Sequence, residues 1–596
     1  MSHSKAKLAL LRELMAVRNI DAYIIAGTDP HLGEYFPSHW RIVQWLTGFA
    51  GSTATLLITR SFAGLWTDSR YFIQAEKELA GTGFKLIRLN VPSEPSLLDW
   101  LSAKMKKGSI LAFDGRIFSI GFLDSLKNIL LEKEVSIDIS CDLISEIWTD
   151  RPPMPESIAF DHSTAFCGKE RSAKIKEVRE QMNKMKVDSH LLTSADDIMW
   201  MLNVRGNDLE YSPLLISFAV VGHEQILIFI DERKIPLKLA AEFDKNGVTI
   251  LPYEDVSVIL SNLKKGSSLL LTPETTNASL FTSISDKVTI VKDISIPTRL
   301  KAIKNGIEIE NIRNVMVKDG VALTKFFFWL EKNIENLTIT ELSAAEKLYE
   351  LRLQQSDCTG ASFSTISAYN EHGALAHYSP SSASNSILEA DGIFLIDSGG
   401  QYLDGTTDIT RTISLGNPDP LQKSDFTLVL KGFINLAMAK FPAGTKGYQL
   451  DILARKALWA NRLNYGHGTG HGVGFFLNVH EGPHSIGTGV ISDKQSSIEP
   501  GLVFSDEPAI YRVANYGIRT ENLLLVMEDE KSEFGQFLKF ETLSLCYIDN
   551  ALIDKSLLES VEVNWLNQYH SMVYDKLASL LSDEEKIWLK EKTEEI

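Results

Sequence analysis

Two aspartates flank a bend in the strongly apolar stretch Asp391–Leu415. Asp397 directly follows the apolar residues 393–396, and Asp408 lies in the β-rich stretch after a two-glycine bend. This pattern predicts two neighbouring antiparallel strands. Carboxylates at the edge of a buried sheet are costly without a positive partner, and no lysine or arginine lies between these two. The simplest partner is one metal ion or a pair of them.

A second pair of acids has the same arrangement. Glu507 follows the apolar stretch GLVFSD, and Glu521 begins the apolar stretch ENLLLV, so the two resemble a second hairpin with two carboxylates. Four carboxylates and one imidazole at one place would bind two divalent cations, and mostly oxygen ligands favour a hard ion such as manganese. Two ions that share carboxylates would activate a water between them for hydrolysis.

Histidines lie in two glycine-containing segments between these hairpins. The sequence GHGTGHGVG cannot form a stable helix, so His467 and His471 lie on a tight loop or an irregular strand, where they suit metal ligation or hydrogen bonding to a ligand. It matches neither phosphate-binding glycine pattern. Residues 480–484, HEGPH, match the HExxH string, but their glycine and proline exclude the continuous helix that a zinc protease needs.

The elements around these residues predict three domains. Residues 1–152 alternate helix and strand, a proline-rich break follows Asp150, and the same α/β pattern is repeated over 153–299. Residues 300–596 contain the concentrated chemistry, begin with a long amphipathic helix or helix pair, and end in a helical extension. Ser582 and Glu585 form a capping box for the last predicted helix.

Composition narrows the function classes. A formal net charge of −17 argues against general nucleic-acid binding, which needs a basic face. The four cysteines are far apart, so neither a disulfide framework nor a structural zinc site is expected, and a reducing compartment is favoured. We find no signal-peptide pattern at the N-terminus and no apolar run of membrane-spanning length. The sequence predicts a soluble, cytoplasmic protein.

Motifs along nearly the whole chain resemble one family of peptidases. TGFAGSTATLLIT near the N-terminus and DSGGQYLDGTTDITRT, HGTGHGVG, NVHEGP and GIRTENLLLV near the C-terminus resemble the large, three-domain form of the Xaa-Pro aminopeptidases, or aminopeptidase P. The resemblance implies two creatinase-like α/β domains followed by a pita-bread metallopeptidase domain. It also implies peptide substrates with proline at the second position, and a homodimer formed through the C-terminal domain.

The resemblance also implies a set of metal ligands. Asp408 and Glu521 fall where the family has carboxylates that contact both ions. One departure is visible: Ala509 stands where the family usually has glycine, and alanine resists positive φ, so the loop after Glu507 is expected to differ. The five implied ligands are Asp397, Asp408, His471, Glu507 and Glu521.

Further residues receive catalytic or substrate-binding roles from the same resemblance. A hydroxide that bridges the two ions is expected to attack the scissile carbonyl, with Glu507 as the proton carrier. His377 and His480 are expected to steady the oxyanion and the leaving proline nitrogen. His467 matches a histidine beside the substrate proline. Arg519 is grouped with the substrate-binding residues and is expected to bond a ligand carboxylate.

Other members of this fold remain as alternatives: a prolidase-like dipeptidase, a metal-free creatinase-like hydrolase, and a catalytically inactive pita-bread module that binds peptides. The intact ligand set argues against the last two. The duplicated N-terminal half favours the large aminopeptidase over prolidase, which has one such domain. His31 and Glu34 are expected to serve domain contacts or to lie near a partner subunit's active site. Lone histidines expected to be structural are His3, His162, His372 and His570.

Overall fold

The protein, described here by a computed structural model of residues 3–489 and 497–596, folds into two compact units. The first comprises the chain up to Asp161 together with Lys169–Pro297. The second comprises His162–Gly168 together with Thr298–Ile596. In the described part of the chain, no helix has the length and apolar character that a bilayer crossing requires.

The first unit begins with a domain built on a six-stranded mixed sheet. Its strand order is β4-β3-β2-β1-β5-β6, with β2 antiparallel to both neighbours and every other pair parallel. The predicted alternation of helix and strand in this part of the chain is confirmed. The strands are β1 (Ala22–Ala26), β2 (Thr55–Thr59), β3 (Ala63–Thr67), β4 (Lys85–Arg88), β5 (Ile110–Ala112) and β6 (Ser136–Asp138). The helices are α1 (His3–Val17), α2 (Ile42–Thr47), α3 (Phe72–Glu78), α4 (Leu97–Lys104), α5 (Ile120–Leu130) and α6 (Ile144–Ile147).

The next part of the chain repeats this sheet. The order β12-β11-β10-β8-β13-β14 has the same parallel and antiparallel pairs at the same positions, which confirms two similar α/β domains. The strands are β7 (Phe160–Asp161), β8 (Ser189–Leu192), β9 (Val204–Arg205), β10 (Phe218–Gly222), β11 (Ile226–Phe229), β12 (Val248–Leu251), β13 (Ser268–Leu271) and β14 (Thr289–Lys292). The helices are α7 (Thr164–Cys167), which belongs to the second unit, α8 (Arg171–Met185), α9 (Ala195–Leu202), α10 (Leu237–Lys245), α11 (Val256–Ser261) and α12 (Ala278–Ser283).

Long helices surround the core of the second unit. The amphipathic stretch after residue 300 forms a helix pair, and its longer member begins at a capping box in which Asn305 and Glu308 bond each other's backbone. The capping box predicted at Ser582 and Glu585 is confirmed. The helices are α13 (Ile296–Ala302), α14 (Gly306–Asn333), α15 (Glu341–Leu353), α16 (Pro420–Ala437), α17 (Gly447–Ala460), α18 (Ser560–Leu577) and α19 (Asp583–Lys592).

The strands of the second unit form several small sheets and one of six strands. Their orders are β15-β18-β19, β16-β17-β20, β25-β26 and β21-β28-β27-β24-β22-β23. Apolar side chains of α14, α16 and α18 pack with those of β17 and β20 in one buried core. The strands are β15 (Cys358–Ala361), β16 (Ile366–Tyr369), β17 (Ile393–Ser398), β18 (Gly400–Tyr402), β19 (Gly405–Thr406), β20 (Ile409–Ser414), β21 (Lys440–Pro442), β22 (Gly470–Gly472), β23 (Glu481–Ile486), β24 (Val503–Asp506), β25 (Ala509–Arg512), β26 (Tyr516–Arg519), β27 (Asn522–Ser532) and β28 (Gly535–Thr542).

Candidate active site

The first pair of acids lies at two antiparallel strands: Asp397 is on β17, as predicted, whereas Asp408 directly precedes β20. Asp397 is near the end of β17 and pairs with Thr410 of β20, two residues after Asp408. The short strands β18 and β19 fill the connection between them. A Cβ atom at Gly399 would overlap the carbonyl oxygen of Thr407, so the bend after Asp397 is packed against backbone. Both carboxylates are therefore held on a rigid, buried edge.

The second pair of acids lies at one end of another pair of antiparallel strands, β24 and β27. Asp506 is the last residue of β24 and pairs with Asn522, the first residue of β27. Glu507 and Glu521 directly flank this residue pair and so lie at the same end of the two strands. Ala509 begins β25 as a buried residue in extended backbone, which alanine adopts without strain.

His471 joins the two pairs of acids. It lies on β22, whose backbone pairs with β23 and β24, and its N–H donates to the hydroxyl of Ser505 at 3.0 Å. Its Nε2 lies 3.4 Å from Oδ2 of Asp408 and 3.7 Å from Oε1 of Glu507. Next to it, a Cβ at Gly470 would overlap the carbonyl oxygen of Ser505, so this strand contact also requires glycine.

The donor atoms of this cluster fit metal ions. One ligand atom each from Asp408, His471 and Glu521 lies within 4.8 Å of the other two. Oδ2 of Asp397 accepts a hydrogen bond of 2.6 Å from Arg519, whereas its buried Oδ1 has no hydrogen-bond partner among the described residues. A cation would satisfy a buried carboxylate oxygen that lacks a donor and lies near another carboxylate, here Asp408, and oxygen-rich donors suit hard divalent ions.

The electrostatics of the cluster agree with this assignment. Burial, followed by the charges of neighbouring carboxylates, raises the pKa of Glu521 well above its usual value, and burial raises that of Asp397 despite the charge of Arg519. The pKa of Glu507 rises to about 7, again chiefly through burial. Burial opposes the charged form of His471, but its hydrogen bond to Asp408 and the charges of Glu507 and Asp408 raise its pKa to about 9.

A chain of polar contacts connects His467 to Asp397. Nε2 of His467 lies 2.8 Å from the hydroxyl of Tyr511, which accepts a 2.7 Å hydrogen bond from Arg519. Arg519 then donates to Asp397, and Nδ1 of His467 lies 3.9 Å from Oε2 of Glu507. Tyr511 was not predicted as a site residue. The one available signal was its place on the strand that follows Glu507.

His480 and His377 lie on different segments. The rings of His480 and His471 meet edge to face with centroids 4.3 Å apart. Glu481 begins strand β23, which confirms that HEGPH is not a zinc-protease helix. His377 is half-buried in the irregular chain before β17, and a turn just upstream of it contacts β26 at Gly517.

Most of the remaining histidines have structural partners, as predicted. Nε2 of His162 lies 2.7 Å from the Leu403 carbonyl oxygen, and Nε2 of His570 accepts a hydrogen bond of 3.1 Å from the Ile548 N–H. Within the first unit, His31 contacts the Thr193 carbonyl oxygen and the Tyr253 hydroxyl, which agrees with the domain contact expected for it. His372 bonds a buried glutamate, described below.

Comparison with known proteins identifies the family. Xaa-Pro aminopeptidase app-1 of Caenorhabditis elegans is 39% identical over 606 residues, which span 99% of this chain and 97% of the relative. Xaa-Pro aminopeptidase 1 of Dictyostelium discoideum is 36% identical over 590 residues, which span 96% of this chain and 93% of the relative. The chain belongs to the Xaa-Pro aminopeptidase family.

Domain models and a solved structure of this family agree. The crystal structure of an X-prolyl aminopeptidase from C. elegans, a cytosolic enzyme with a di-nuclear active site, covers 100% of both chains with a TM-score of 0.96 and 37% identity. The creatinase/prolidase N-terminal domain matches twice, which agrees with the two similar sheets. The matches are residues 7–146 and 150–308 to that domain, residues 310–528 to metallopeptidase family M24, and residues 536–596 to the C-terminal region of peptidase M24.

Proposed function

We propose that this protein is a metal-dependent aminopeptidase that releases the N-terminal residue from peptides with proline at the second position. The observation that carries the proposal is the convergence of Asp408, His471 and Glu521 within 4.8 Å, in a chain related end to end to Xaa-Pro aminopeptidases. Glu507 and the unpartnered oxygen of Asp397 complete the donor set.

Two divalent cations, which we propose to be manganese, would be held by the five residues predicted as ligands. The di-nuclear site of the C. elegans relative supports the number of ions, and the oxygen-rich donor set supports a hard ion. When bound, the ions supply Lewis acidity for the scissile carbonyl and make water a stronger nucleophile at neutral pH. The ligands are Asp397, Asp408, His471, Glu507 and Glu521.

Side chains of the site carry out proton transfer, stabilisation of the oxyanion and positioning of the substrate. Glu507 takes the proton of the attacking water and returns it to the leaving proline nitrogen, since it lies beside the ligand atoms and its side chain is 20% exposed. His377 and His480 donate hydrogen bonds to the carbonyl oxygen as it gains charge. His467 lies beside the proline ring. Arg519 holds Asp397 and, through Tyr511, orients His467.

The bond to proline explains the selectivity. An Xaa-Pro bond is a tertiary amide without an N–H, and its ring fixes the backbone, so a site shaped for the ring selects it. A prolidase-like dipeptidase would require a free carboxylate directly after proline. An inactive peptide-binding module would bind such peptides without cleaving them. The paired N-terminal domains support the aminopeptidase over the dipeptidase.

Hydrolysis of Arg-Pro-Pro after removal of metal tests the proposal. Protein stripped with a chelator should release no arginine, and added manganese should restore release. Asp408→Asn should stay inactive with manganese present, because it removes a predicted ligand. Asp549→Asn is the matched control: Asp549 is also buried, but it accepts from the Ser414 and Ala551 N–H groups away from the cluster. Cleavage of the dipeptide Arg-Pro with the tripeptide spared would instead indicate a dipeptidase.

We also propose the division of the chain at 152/153 and 299/300, a homodimer formed through the C-terminal domain, and a cytoplasmic location. The first boundary lies near the gap between the two N-terminal domain matches, 7–146 and 150–308, and the second lies near the division of the two units at Pro297/Thr298, although the second match continues to residue 308. The cytosolic C. elegans relative supports the location. The dimer rests on the family resemblance, and sedimentation of the purified protein tests it: a single species of one-chain mass contradicts it.

A further inference from the structure

His377 lies in a part of the second unit with little regular structure of its own. Between β16 and β17, the chain forms one turn of 3-10 helix, Asn370–Ala374, and then runs without helix or strand until Ile393. A side chain that must meet a reacting carbonyl oxygen needs its backbone fixed to within a fraction of an ångström. The segment carrying His377 therefore requires a fixed point outside itself.

A buried glutamate supplies such a point. Glu341 is the first residue of α15 and is 0% exposed. Its side chain accepts hydrogen bonds only from the chain that surrounds His377, and it has no ion pair with lysine or arginine among the described residues. Its partners are the Tyr369 N–H at 2.8 Å, Nδ1 of His372 at 2.8 Å, the Tyr378 hydroxyl at 2.8 Å and the Ser386 N–H at 2.9 Å.

Two of these partners lie on either side of His377 in sequence. Tyr378 follows it directly, and its buried ring packs in a small apolar cluster with Ala368 and Leu395. The ring of His372 stacks on that of Tyr378 with centroids 4.5 Å apart. The Tyr378 N–H also bonds the Leu375 carbonyl oxygen at 3.0 Å, which closes a short turn that contains His377. Residues on both sides of His377 therefore hydrogen-bond to the same carboxylate, that of Glu341.

We propose that Glu341 is a positioning residue for His377, holding its loop so that the imidazole meets the scissile carbonyl. The proposal rests on the proposed function. An ionised carboxylate only accepts hydrogen bonds and has about four lone-pair directions, which match four donors. An amide in its place presents N–H groups to donors, so at least one of the four contacts becomes repulsive and the loop relaxes.

Glu341→Gln tests the proposal through the separation of kcat from KM. On Arg-Pro-Pro we expect kcat to fall about tenfold to a hundredfold, as for a catalytic group displaced by about 1 Å. KM should change by less than about twofold, because His377 acts on developing charge rather than on the bound substrate. The matched control is Glu562→Gln, which also neutralises a buried glutamate of this unit, bonded to Lys431 and Asn435. It should retain normal kcat.

A double-mutant cycle with His377→Ala separates positioning from general damage. If Glu341 acts through His377, adding Glu341→Gln to His377→Ala should leave kcat/KM at the value of His377→Ala alone. Independent, multiplying losses overturn the proposal. A normal kcat for His377→Ala overturns the role of His377 and this proposal together. A large loss for His377→Ala beside a normal Glu341→Gln enzyme overturns this proposal alone.

Hydrogen exchange of the chelated, metal-free protein gives a readout apart from activity. Glu341→Gln should speed amide exchange in peptides covering 369–388 and leave those covering β24 and β27 unchanged. Unchanged exchange in 369–388 overturns the proposal. If Glu341→Gln does not fold, Tyr378→Phe removes one contact and keeps the ring; we expect kcat to fall about threefold to tenfold, the range for one hydrogen bond. A normal kcat in that variant overturns the proposal.

Discussion

The substitution Lys304→Met should destabilise the second unit more than any change of a surface charge. Lys304 Nζ lies 2.5 Å from Oε1 of Glu481, and Lys301 Nζ lies 3.6 Å from Oε2. All three side chains are at most 2% exposed. Glu481 directly follows His480, so this buried cluster also fixes one end of the strand beside the site.

The magnitude follows from what the substitution leaves behind. Removing one partner of a buried ion pair costs about 3–5 kcal/mol, because the other charge stays buried without compensation. Lys304 also donates to the carbonyl oxygens of Lys301 and Ala302, and these contacts disappear as well. The charge of Lys301 remains near Glu481 and offsets part of the loss. We therefore expect a decrease of about 3 kcal/mol in the free energy of unfolding.

Calorimetry of the whole chain measures this loss as a lower melting temperature. A decrease of about 3 kcal/mol corresponds to about 5–10 °C for a unit of this size. Lys440→Met is the matched control: its partner is Asp529, but the lysine side chain is 64% exposed, and we expect a melting temperature close to that of the parent protein. Lys301→Met/Lys304→Met/Glu481→Gln should recover most of the loss, because none of the three buried charges remains.

Two results would refute this reasoning. If Lys304→Met melts within about 1 °C of the parent protein, then the buried charge of Glu481 is compensated by Lys301 alone, and the close contact with Lys304 contributes nothing measurable. If the triple variant is as unstable as Lys304→Met, then the loss arises from packing of the lysine side chain and not from an unpaired carboxylate.

Three further changes have defined outcomes. Asn305→Ala removes the cap of α14 and should cost about 1–2 kcal/mol in a denaturant titration; Asn314→Ala, at an exposed position in the helix interior, serves as the comparison. Asp408→Asn should lower the metal content measured by mass spectrometry below that of the parent protein, and an unchanged content contradicts its role as a ligand. Burial lowers the pKa of His190 from 6.5 to about 4, so its protonation favours the unfolded chain, and the free energy of unfolding should fall by about 3 kcal/mol between pH 6.5 and pH 4. His190→Gln should reduce that slope in unfolding curves measured across this pH range, whereas an equal slope contradicts the assignment.

Much of the fold could be predicted because short-range patterns determine it. The apolar runs that became β1 and β17 allow only buried strands, and the one predicted capping box, Ser582 with Glu585, needed two residues three positions apart. The duplication was visible because the second α/β domain repeats the order of charged helix and apolar strand found in the first. The strands β18 and β19 were not predicted, because each has three residues or fewer and carries little pattern.

Residues of the site could be predicted only where they lie in a recognisable local sequence motif. Contacts between distant segments leave no such trace: Arg519 and Asp397 are 122 positions apart, and Glu341 and Tyr378 are 37 apart. Asp397 was predicted from its place after an apolar run, and Arg519 was expected to bond a ligand carboxylate, but which carboxylate it bonds was not predicted. Tyr511, Glu341 and Lys304 bind other side chains rather than metal, and nothing in their immediate surroundings distinguishes them from ordinary strand or helix residues.

The glycines packed against backbone beside the acids and His471 limit how this sequence can change. Any side chain at Gly399 or Gly470 must displace a carbonyl oxygen of a neighbouring segment, Thr407 or Ser505, that itself adjoins the site. In a saturation screen scored by activity alone, these two positions would rank with the metal ligands although neither performs chemistry. Metal content measured on purified variants would separate the two classes only partly, because a shifted strand also carries its ligand away. In such a centre, a position can be intolerant of substitution because two backbone segments are in close contact there, and not only because its side chain takes part in catalysis.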